Sequence, residues 1–491
     1  MKTICLLEPD LTVFEAMRRM ETAGARWACV ITEERKILGV ATHGDIRRYM
    51  LSGGSLDSSC ILASNQQFFS LHSGVLDAEL MSALAKYDFV PIVEPSTGAL
   101  VDVATSRSLH SIPILEPNLG QLELARLNEV FLSGWISSKS PAVSNFEKGI
   151  EEYTGLSNCL AVSNGTVAIH LALEALGIGD GDEVIVPDLT FAATANAVLQ
   201  AGAIPVFVDV EQDSLGLDLE LLKKAVTDRT KAVILVHLYG FPARDYRQIH
   251  QFCKAAGLLL IEDCAEALGT YSEQLHVGVY GDAATFSFFG NKLVTTGEGG
   301  AVAFKDSQVA EKAKVLRDHG QSTERRYFHE VAGFNYRLTG LQAAIGIGQF
   351  ERLADLLKSK HDVAQGYRRR LQGEPEIRWI DEKLEGESSH WLNVIRLKPS
   401  EDVNGSIVES VISNLAQEGI ELRPVFFPLH SMPPYKEFRL FSSEAVPVSI
   451  QWHNSAVCLP SSTTLSDIDL TRVTDSIKNF LRNSRSRRGI E

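Results

Sequence analysis

A lysine and an aspartate in two separate apolar segments are the residues of this sequence best suited to chemistry. Lys292 lies between the run 285–291 (Thr-Phe-Ser-Phe-Phe-Gly-Asn) and the return 293–300 (Leu-Val-Thr-Thr-Gly-Glu-Gly-Gly), so we expect it on a turn. An amine that loses part of its hydration there is a better nucleophile. Asp263 follows the strand-like segment 258–262 (Leu-Leu-Leu-Ile-Glu), and at the carboxyl end of this strand a carboxylate could pair with a protonated ring nitrogen. Taken singly, each residue has an ordinary alternative, a solvated surface lysine and a helix-capping aspartate.

Two further segments contain groups that suit a phosphate and a flat ring. The tetrapeptide 163–166 (Ser-Asn-Gly-Thr) opens a predicted helix, whose first N–H groups suit a phosphate. Ser287 precedes Lys292 by five residues and could reach the same phosphate, and Phe191 follows a predicted strand and could stack on a heterocycle. A helix cap and a core aromatic are the ordinary alternatives. Together, a phosphate cradle, an acid, an aromatic face and a carbonyl-capturing lysine specify pyridoxal phosphate.

The segments that must position these residues alternate between strand and helix from about residue 155 to 300. Short apolar strands near 159, 183, 204, 231 and 258 are separated by helices such as 165–176. This alternation predicts an α/β domain with a mostly parallel sheet, whose ligands lie beyond the carboxyl ends of the strands. We predict a large domain over 113–370 and a smaller α+β domain over 371–491.

The region from about 113 to 485 resembles the DegT/DnrJ/EryC1/StrS sugar aminotransferases, which are fold-type I enzymes that use pyridoxal phosphate. The resemblance rests on the 285–300 segment and on three other motifs: 262–269 (Glu-Asp-Cys-Ala-Glu-Ala-Leu-Gly), 333–339 (Gly-Phe-Asn-Tyr-Arg-Leu-Thr) and 423–430 (Arg-Pro-Val-Phe-Phe-Pro-Leu-His). It implies that Lys292 forms a Schiff base with the cofactor and that Asp263 pairs with the ring nitrogen, the two catalytic residues. It also implies that Phe191 stacks on the ring and that Glu266 lies near the phenolic oxygen.

The same resemblance implies how the cofactor phosphate is held. Gly165, Thr166 and Ser287 are the phosphate ligands within one subunit. In this family, the asparagine of the Gly-aromatic-Asn-Tyr-Arg segment reaches the phosphate of the neighbouring subunit, which here is Asn335. We therefore expect a homodimer or a higher oligomer with shared active sites.

The reaction implied is the transfer of an amino group from glutamate to a nucleotide-linked 4-keto-6-deoxy sugar. The motifs are most similar to the branch that converts GDP-4-keto-6-deoxymannose into GDP-perosamine for O-antigen or other polysaccharides. The segments 318–322 and 425–427 differ from that branch, so UDP- and dTDP-linked sugars stay open. A sugar-nucleotide dehydratase is a further alternative, although some dehydratases of the family carry histidine where this chain has Lys292. Four residues are possible sugar or anion contacts, or else ordinary ion pairs: His319, Arg337, Arg423 and His430.

Residues 1–112 form a separate module with an internal duplication. Each half combines a helix with two apolar strands, and the first half contains Gly-Val-Ala-Thr-His-Gly-Asp-Ile at 39–46. The module resembles a CBS-domain pair, which implies that Thr42 and Asp45 bind the ribose of an adenine nucleotide and regulate activity. The second half, ending at 105–108, has no matching aspartate. A packing or assembly module without a ligand is the alternative.

Charge, cysteine spacing and hydropathy argue against several other classes of protein. The net charge of −15 argues against a nucleic-acid partner, whose binding proteins are basic. The seven cysteines form no paired motif, so we expect reduced thiols in the cytoplasm and no metal site. Neither a signal peptide nor a membrane-spanning stretch is predicted.

Overall fold

The computed structural model describes residues 5–73, 75, 77–84, 86–105, 112–322, 324–380, 386–398 and 407–486. The chain divides into two compact units, Met1–Ile112 and Pro113–Glu491. Among the described residues, no helix combines the length and the apolar character needed to cross a membrane.

The first unit contains the same small fold twice. Its elements are β1 (Leu6–Leu7), α1 (Val13–Thr22), β2 (Trp27–Ile31), β3 (Ile37–Thr42), α2 (His43–Leu51), β4 (Leu71–His72), α3 (Asp77–Leu84), β5 (Phe89–Val93) and β6 (Leu100–Thr105). In each sheet the first strand runs parallel to the second, and the second runs antiparallel to the third. The rings of Trp27 and Phe89, one from each half, stack with centroids 4.7 Å apart. Residues 106–108, where the second half lacks its aspartate, lie outside the described residues.

The second unit begins with the elements of a large α/β layer structure. These are α4 (Gln121–Ser133), α5 (Pro141–Thr154), β7 (Cys159–Val162), α6 (Gly165–Leu176), β8 (Glu183–Pro187), α7 (Ala193–Gln200), β9 (Ile204–Val208), α8 (Leu219–Ala225), β10 (Thr230–Val236), α9 (Tyr246–Ala256), β11 (Leu259–Asp263), β12 (Tyr271–Ser272), β13 (Leu275–His276), β14 (Ala283–Ser287), β15 (Gly300–Phe304), α10 (Ser307–Arg317), α11 (Gly340–Glu351) and α12 (Leu353–Arg370). The remaining elements are β16 (Ile377–Trp379), β17 (Asn393–Leu397), α13 (Ile407–Gln417), β18 (Arg423–Pro424), β19 (Leu440–Phe441), α14 (Val448–His453), β20 (Ala456–Leu459) and α15 (Asp467–Ser486).

Eight strands form the central sheet in the order β19-β9-β8-β10-β11-β14-β15-β7. Only β15 runs antiparallel to its neighbours, and the other seven strands share one direction. Strands such as β10 (Thr-Lys-Ala-Val-Ile-Leu-Val) are almost continuously apolar because core side chains cover both faces of the sheet. The carboxyl ends of β8, β11 and β14 therefore lie along one edge, which is where ligands of such sheets bind.

The C-terminal part forms a second, antiparallel sheet in the order β16-β17-β20-β18. It also returns to the central sheet, because β19 adds parallel to β9 with Leu440 opposite Phe207 and Phe441 opposite Val208. The sequence did not predict this strand, since two residues carry no periodicity.

The segment 113–120, which contains two prolines and a glycine and leads into α4, is hydrogen-bonded to the C-terminal part. The N–H of Ile114 donates to Oε2 of Glu421 at 3.0 Å, and its carbonyl accepts from the N–H of Ser461 at 2.7 Å. The N–H of Glu116 donates to Oγ of Ser462 at 2.8 Å. The buried side chain of Ile114 explains this arrangement, because burial of its apolar surface holds the segment against the core.

Candidate active site

Lys292 lies on the turn that follows β14, and its side chain is only 13% exposed. Its Nζ is 3.5 Å from Oε1 of Glu266 and 3.8 Å from the ring centroid of Trp391. Burial lowers the pKa of Lys292, while the carboxylates of Glu266 and Asp263 act in the opposite direction. The amine is thus held where a neutral, nucleophilic form is accessible.

Asp263 is the last residue of β11, at the carboxyl edge of the central sheet. Its Oδ2 accepts a hydrogen bond from Oγ1 of Thr194 at 3.0 Å, and its Oδ1 accepts from the N–H of Ala265 at 3.1 Å. Burial raises the pKa of Asp263 against these hydrogen bonds and against the nearby amine of Lys292. A cationic ligand group at this carboxylate would offset its desolvation.

Glu266 occupies the loop after β11 and is buried beside Lys292. Its Oε2 accepts the N–H of Tyr239 at 2.8 Å, and burial raises the pKa of its carboxyl. Tyr239 has a left-handed backbone (φ 55°), which turns its N–H towards this acid. The Tyr239 hydroxyl accepts the N–H of Phe426 at 2.9 Å, so this tyrosine joins the site to the C-terminal part.

The start of α6 and the end of β14 form a tight junction. Gly165 is the first residue of α6, and a Cβ placed on it would lie 2.8 Å from Cβ of Ser287. Asn164 caps the helix by accepting the N–H of Val167 at 3.0 Å. Thr166 is half-buried in the same first turn. The free N–H groups of a helix start therefore lie beside a hydroxyl, an arrangement that suits a phosphate.

Phe191 follows β8 and is 59% exposed. Its ring makes a tilted contact with Phe426 at a centroid distance of 5.7 Å. An exposed ring on this edge of the sheet remains available to cover a flat ligand.

Asn335 contacts a different group of residues. Its Oδ1 accepts from Nε of Arg337 at 3.1 Å, and the same arginine pairs with Asp318 at 2.6 Å and with His319 at 3.3 Å. Arg337 and Asp318 also line a cavity of about 520 Å³, together with Lys139, Arg317 and Arg326. The single chain thus brings Lys292, Asp263 and Glu266 together, while Asn335 belongs to a second, strongly charged surface.

The two remaining possible sugar contacts have partners within the chain. Arg423 pairs with Glu421 at 2.9 Å. Nδ1 of His430 is 2.7 Å from Oδ2 of Asp188, and this hydrogen bond raises the pKa of His430. Both side chains thus form ordinary ion pairs within the chain, which was the alternative to a sugar contact.

In the first unit, Thr42 and Asp45 form the capping box that starts α2. The N–H of Thr42 donates to Oδ2 of Asp45 at 2.9 Å, and the N–H of Asp45 donates to Oγ1 of Thr42 at 3.1 Å. Arg48 forms an ion pair with the other oxygen of Asp45. The geometry by itself is that of a helix cap.

Within the described residues, one buried group of side chains has ligand atoms close enough together to hold a metal ion. Its members are His237, Glu262 and Cys264. Nδ1 of His237 accepts the N–H of Ala243 at 3.1 Å, which leaves its Nε2–H to donate to Glu262 at 3.0 Å. Glu262 also accepts the N–H groups of Gly278 and Gly281. Both ring nitrogens are used, so this cluster is a hydrogen-bonded support for β11 and not a ligand set.

Three residues of the site were not predicted from the sequence: Thr194, Tyr239 and Trp391. Each comes from a segment far from Lys292 in the chain, and only the sheet and the C-terminal part bring them together. No local pattern marks them, because a threonine in a helix and a tryptophan before a strand are ordinary.

Comparison with known proteins gives two family matches. The model of the DegT/DnrJ/EryC1/StrS aminotransferase family matches residues 117–478, and the CBS domain model matches residues 3–52. The GDP-perosamine synthase of Vibrio cholerae is 40% identical over 370 residues, covering 75% of this chain and 99% of that protein. The GDP-perosamine synthase of Escherichia coli O157:H7 is 38% identical and covers 75% of this chain and 98% of its own length.

Among solved structures, the PLP form of Spr1654 from Streptococcus pneumoniae superposes with a TM-score of 0.70 at 27% identity. This match covers 76% of the present chain and 100% of that one. The predicted fold class and the predicted pyridoxal phosphate cofactor are both confirmed by these matches.

Proposed function

Because the chain belongs to the DegT/DnrJ/EryC1/StrS family of PLP-dependent sugar aminotransferases, we propose that it transfers an amino group from glutamate to GDP-4-keto-6-deoxymannose, giving GDP-perosamine. The proposed reaction is supported above all by one observation: the side chains of Lys292, Asp263 and Glu266 lie close together at the edge of the sheet. The choice of sugar nucleotide is supported by the 38–40% identity with two GDP-perosamine synthases.

The residues present fit pyridoxal phosphate. A side chain at position 165 would fill the junction with Ser287, so glycine keeps open the space in which helix N–H groups and a hydroxyl could hold a phosphate. We propose that Gly165, Thr166 and Ser287 bind the phosphate and that Phe191 covers one face of the ring. The buried Asp263 would take the protonated ring nitrogen, and Glu266 would lie near the phenolic oxygen.

When bound, the cofactor supplies an aldehyde that bonds to amines and a ring that accepts electrons. Lys292 then does two things: it holds the cofactor covalently and, when freed, it moves a proton at the reacting carbon. The lowered pKa of its buried amine favours the neutral form that accepts this proton. Glu266, 3.5 Å away, orients the amine and stabilises it once it is charged.

Replacing Gly165 with alanine is expected to weaken cofactor binding at least about tenfold, because the new methyl group meets Ser287 at 2.8 Å. The dissociation constant of pyridoxal phosphate, measured by absorbance titration of cofactor-free protein, reports this change. Gly149→Ala on α5 is the matched control, since a Cβ there has no atom within 4 Å. Equal affinities for the two variants would show that this junction does not hold the phosphate.

We further propose a homodimer with shared active sites. The second unit exposes large apolar side chains along α4 and the loop after it, a surface that suits a second copy of the chain. These residues are Leu122, Leu124, Phe131, Leu132, Trp135 and Ile136. Asn335 is exposed and separate from the contacts of Lys292, as expected of a residue that serves the neighbouring subunit.

Mixing Lys292→Ala subunits with Asn335→Ala subunits is therefore expected to restore activity that neither variant has alone. If each active site combines both residues from different subunits, a random mixture regains about a quarter of the wild-type rate. Activity is measured after unfolding and refolding the two variants together. A mixture no more active than its components would place Asn335 in the same site as Lys292 of its own chain, or in none.

The reaction is tested with a panel of GDP-, UDP- and dTDP-linked 4-keto-6-deoxy sugars in the presence of glutamate, with products identified by mass. Consumption of the GDP sugar with stoichiometric 2-oxoglutarate supports the proposal. Release of a deoxygenated keto sugar without 2-oxoglutarate would indicate a dehydratase, and preference for another nucleotide would correct the substrate.

For the first unit, whose first half matches the CBS domain model over residues 3–52, we propose a CBS-domain pair in which Thr42 and Asp45 bind an adenine nucleotide that regulates activity. Calorimetry with AMP, ADP and ATP tests this, with Thr42→Val as the variant that keeps the side-chain shape. If calorimetry detected no heat of nucleotide binding, and removal of residues 1–112 left the activity unchanged, an assembly role would remain for this unit.

We also propose that the boundary between the large and the small domain of the second unit lies at 370/371. We further propose that the enzyme is cytoplasmic, because the seven free, buried cysteines are typical of a reducing compartment.

A further inference from the structure

Trp391 makes two separate contacts with the turn that carries Lys292. The face of its indole lies against the amine, with Nζ 3.8 Å from the ring centroid. Its Nε1–H donates to the carbonyl oxygen of Asn291 at 2.8 Å. One buried side chain therefore fixes both the backbone before Lys292 and the position of its amine.

The backbone of Trp391 is hydrogen-bonded to Lys360, a buried lysine of α12. Nζ of Lys360 donates to the carbonyl oxygen of Trp391 at 2.8 Å and to that of Ser461 at 2.6 Å. Burial alone lowers the pKa of Lys360 to about 7. The amine of Lys360 therefore joins the backbone just before β17 to the backbone just after β20, and this fixes the position of Trp391.

The opposite side of the Lys292 amine is bounded by acids. Glu266 approaches from the loop after β11 at 3.5 Å, and Asp263 contributes its charge from the end of β11. Tyr239 connects the two sides, since its N–H binds Glu266 and its ring lies almost parallel to that of Trp391 (11°, centroids 6.3 Å apart). The amine thus sits between a carboxylate and an aromatic face.

We propose that Trp391 is a positioning residue that holds the amine of Lys292 on its ring face whenever this amine is not bonded to the cofactor, with Lys360 fixing Trp391 in place. The inference rests on the proposed function, in which Lys292 must leave and regain the cofactor in every cycle. An aromatic face attracts an ammonium more than a neutral amine, so Trp391 favours the protonated state that Lys292 must adopt after taking a proton.

The test compares Trp391→Phe with Trp391→Leu in cofactor-free protein. Both variants lose the hydrogen bond to Asn291, and only the phenylalanine keeps an aromatic face. The measurement is the rate at which added pyridoxal phosphate bonds to Lys292, followed by absorbance as a function of pH, because the neutral amine is the nucleophile.

Loss of the ring face removes a stabilising contact of the ammonium, so the midpoint of the rate profile moves to lower pH. We expect a shift of about 0.5 to 1 pH unit for Trp391→Leu and a clearly smaller one for Trp391→Phe. Trp379→Leu, which removes a tryptophan that faces Arg368 instead, is the control and leaves the midpoint unchanged. Coincident midpoints for the two Trp391 variants would overturn the proposal.

A second measurement does not depend on variants of Trp391. The tryptophan fluorescence of cofactor-free protein is titrated with pH in the wild type and in Lys292→Met. We expect a pH-dependent change that is present in the wild type and lost in Lys292→Met, and equal responses would contradict the contact. Failure of the proposed function would appear instead in the amino-transfer assay, which neither pH titration uses.

Discussion

The Lys292→Ala protein is expected to be colourless with pyridoxal phosphate and to lose at least about a thousandfold in turnover. In the proposed function this residue supplies both the covalent attachment and the proton transfer, and in the described part of the chain no other lysine amine is paired with Glu266. Turnover is measured as 2-oxoglutarate formed from glutamate, and attachment is measured as the visible absorbance of the bound cofactor.

The control for this change is Lys254→Ala, which removes an exposed lysine of α9. It is expected to keep both the colour and the rate. Added small amines provide a further check, because they can replace the proton-transfer function of Lys292 without restoring the covalent bond. A Lys292→Ala protein that retains a visible band and substantial activity would show that another residue captures the cofactor.

The Asp263→Asn protein is expected to bind the cofactor and to transfer amino groups about a thousandfold more slowly. A carboxylate about 4 Å from a protonated ring nitrogen contributes on the order of 4 kcal/mol at an effective dielectric constant of 20, which corresponds to nearly three decades in rate. An amide cannot keep the nitrogen protonated, so the electron-accepting capacity of the ring falls. Single-turnover kinetics with glutamate measure this step separately from binding.

Two variants calibrate the effect of Asp263→Asn. Thr194→Val removes the hydrogen bond to Oδ2 of Asp263 and is expected to cost roughly tenfold, since the carboxylate keeps its charge. Asp355→Asn changes an exposed aspartate of α12 and is expected to leave the rate unchanged. If Asp263→Asn turned over at the rate of Asp355→Asn, Asp263 would not be the partner of the ring nitrogen.

Much of the site could be predicted from the sequence because its residues stand in local patterns. Lys292 and Ser287 flank one turn, Asp263 ends an apolar strand, and Gly165 opens a helix. The second layer of the site was not predictable. Trp391 and Tyr239 reach it from other parts of the chain, through a ring contact and a left-handed backbone that no periodicity reveals.

The same division holds for the fold. Alternating strands and helices predicted the mostly parallel sheet, because strands buried on both faces must be apolar and separated by crossover helices. Strand β19 and the hydrogen bonds of 113–118 were missed. Both depend on backbone groups finding partners at a distance, and side-chain chemistry gives little sign of it.

Strand β19 has a consequence for biosynthesis on the ribosome. It is the outermost strand of the sheet, yet its residues are made long after the seven strands that it completes. While translation continues, the free edge of β9 presents unpaired N–H and C=O groups to solvent. The nascent enzyme therefore passes through a stage in which chaperones, or a neighbouring nascent chain, can occupy the place that Leu440 and Phe441 later fill.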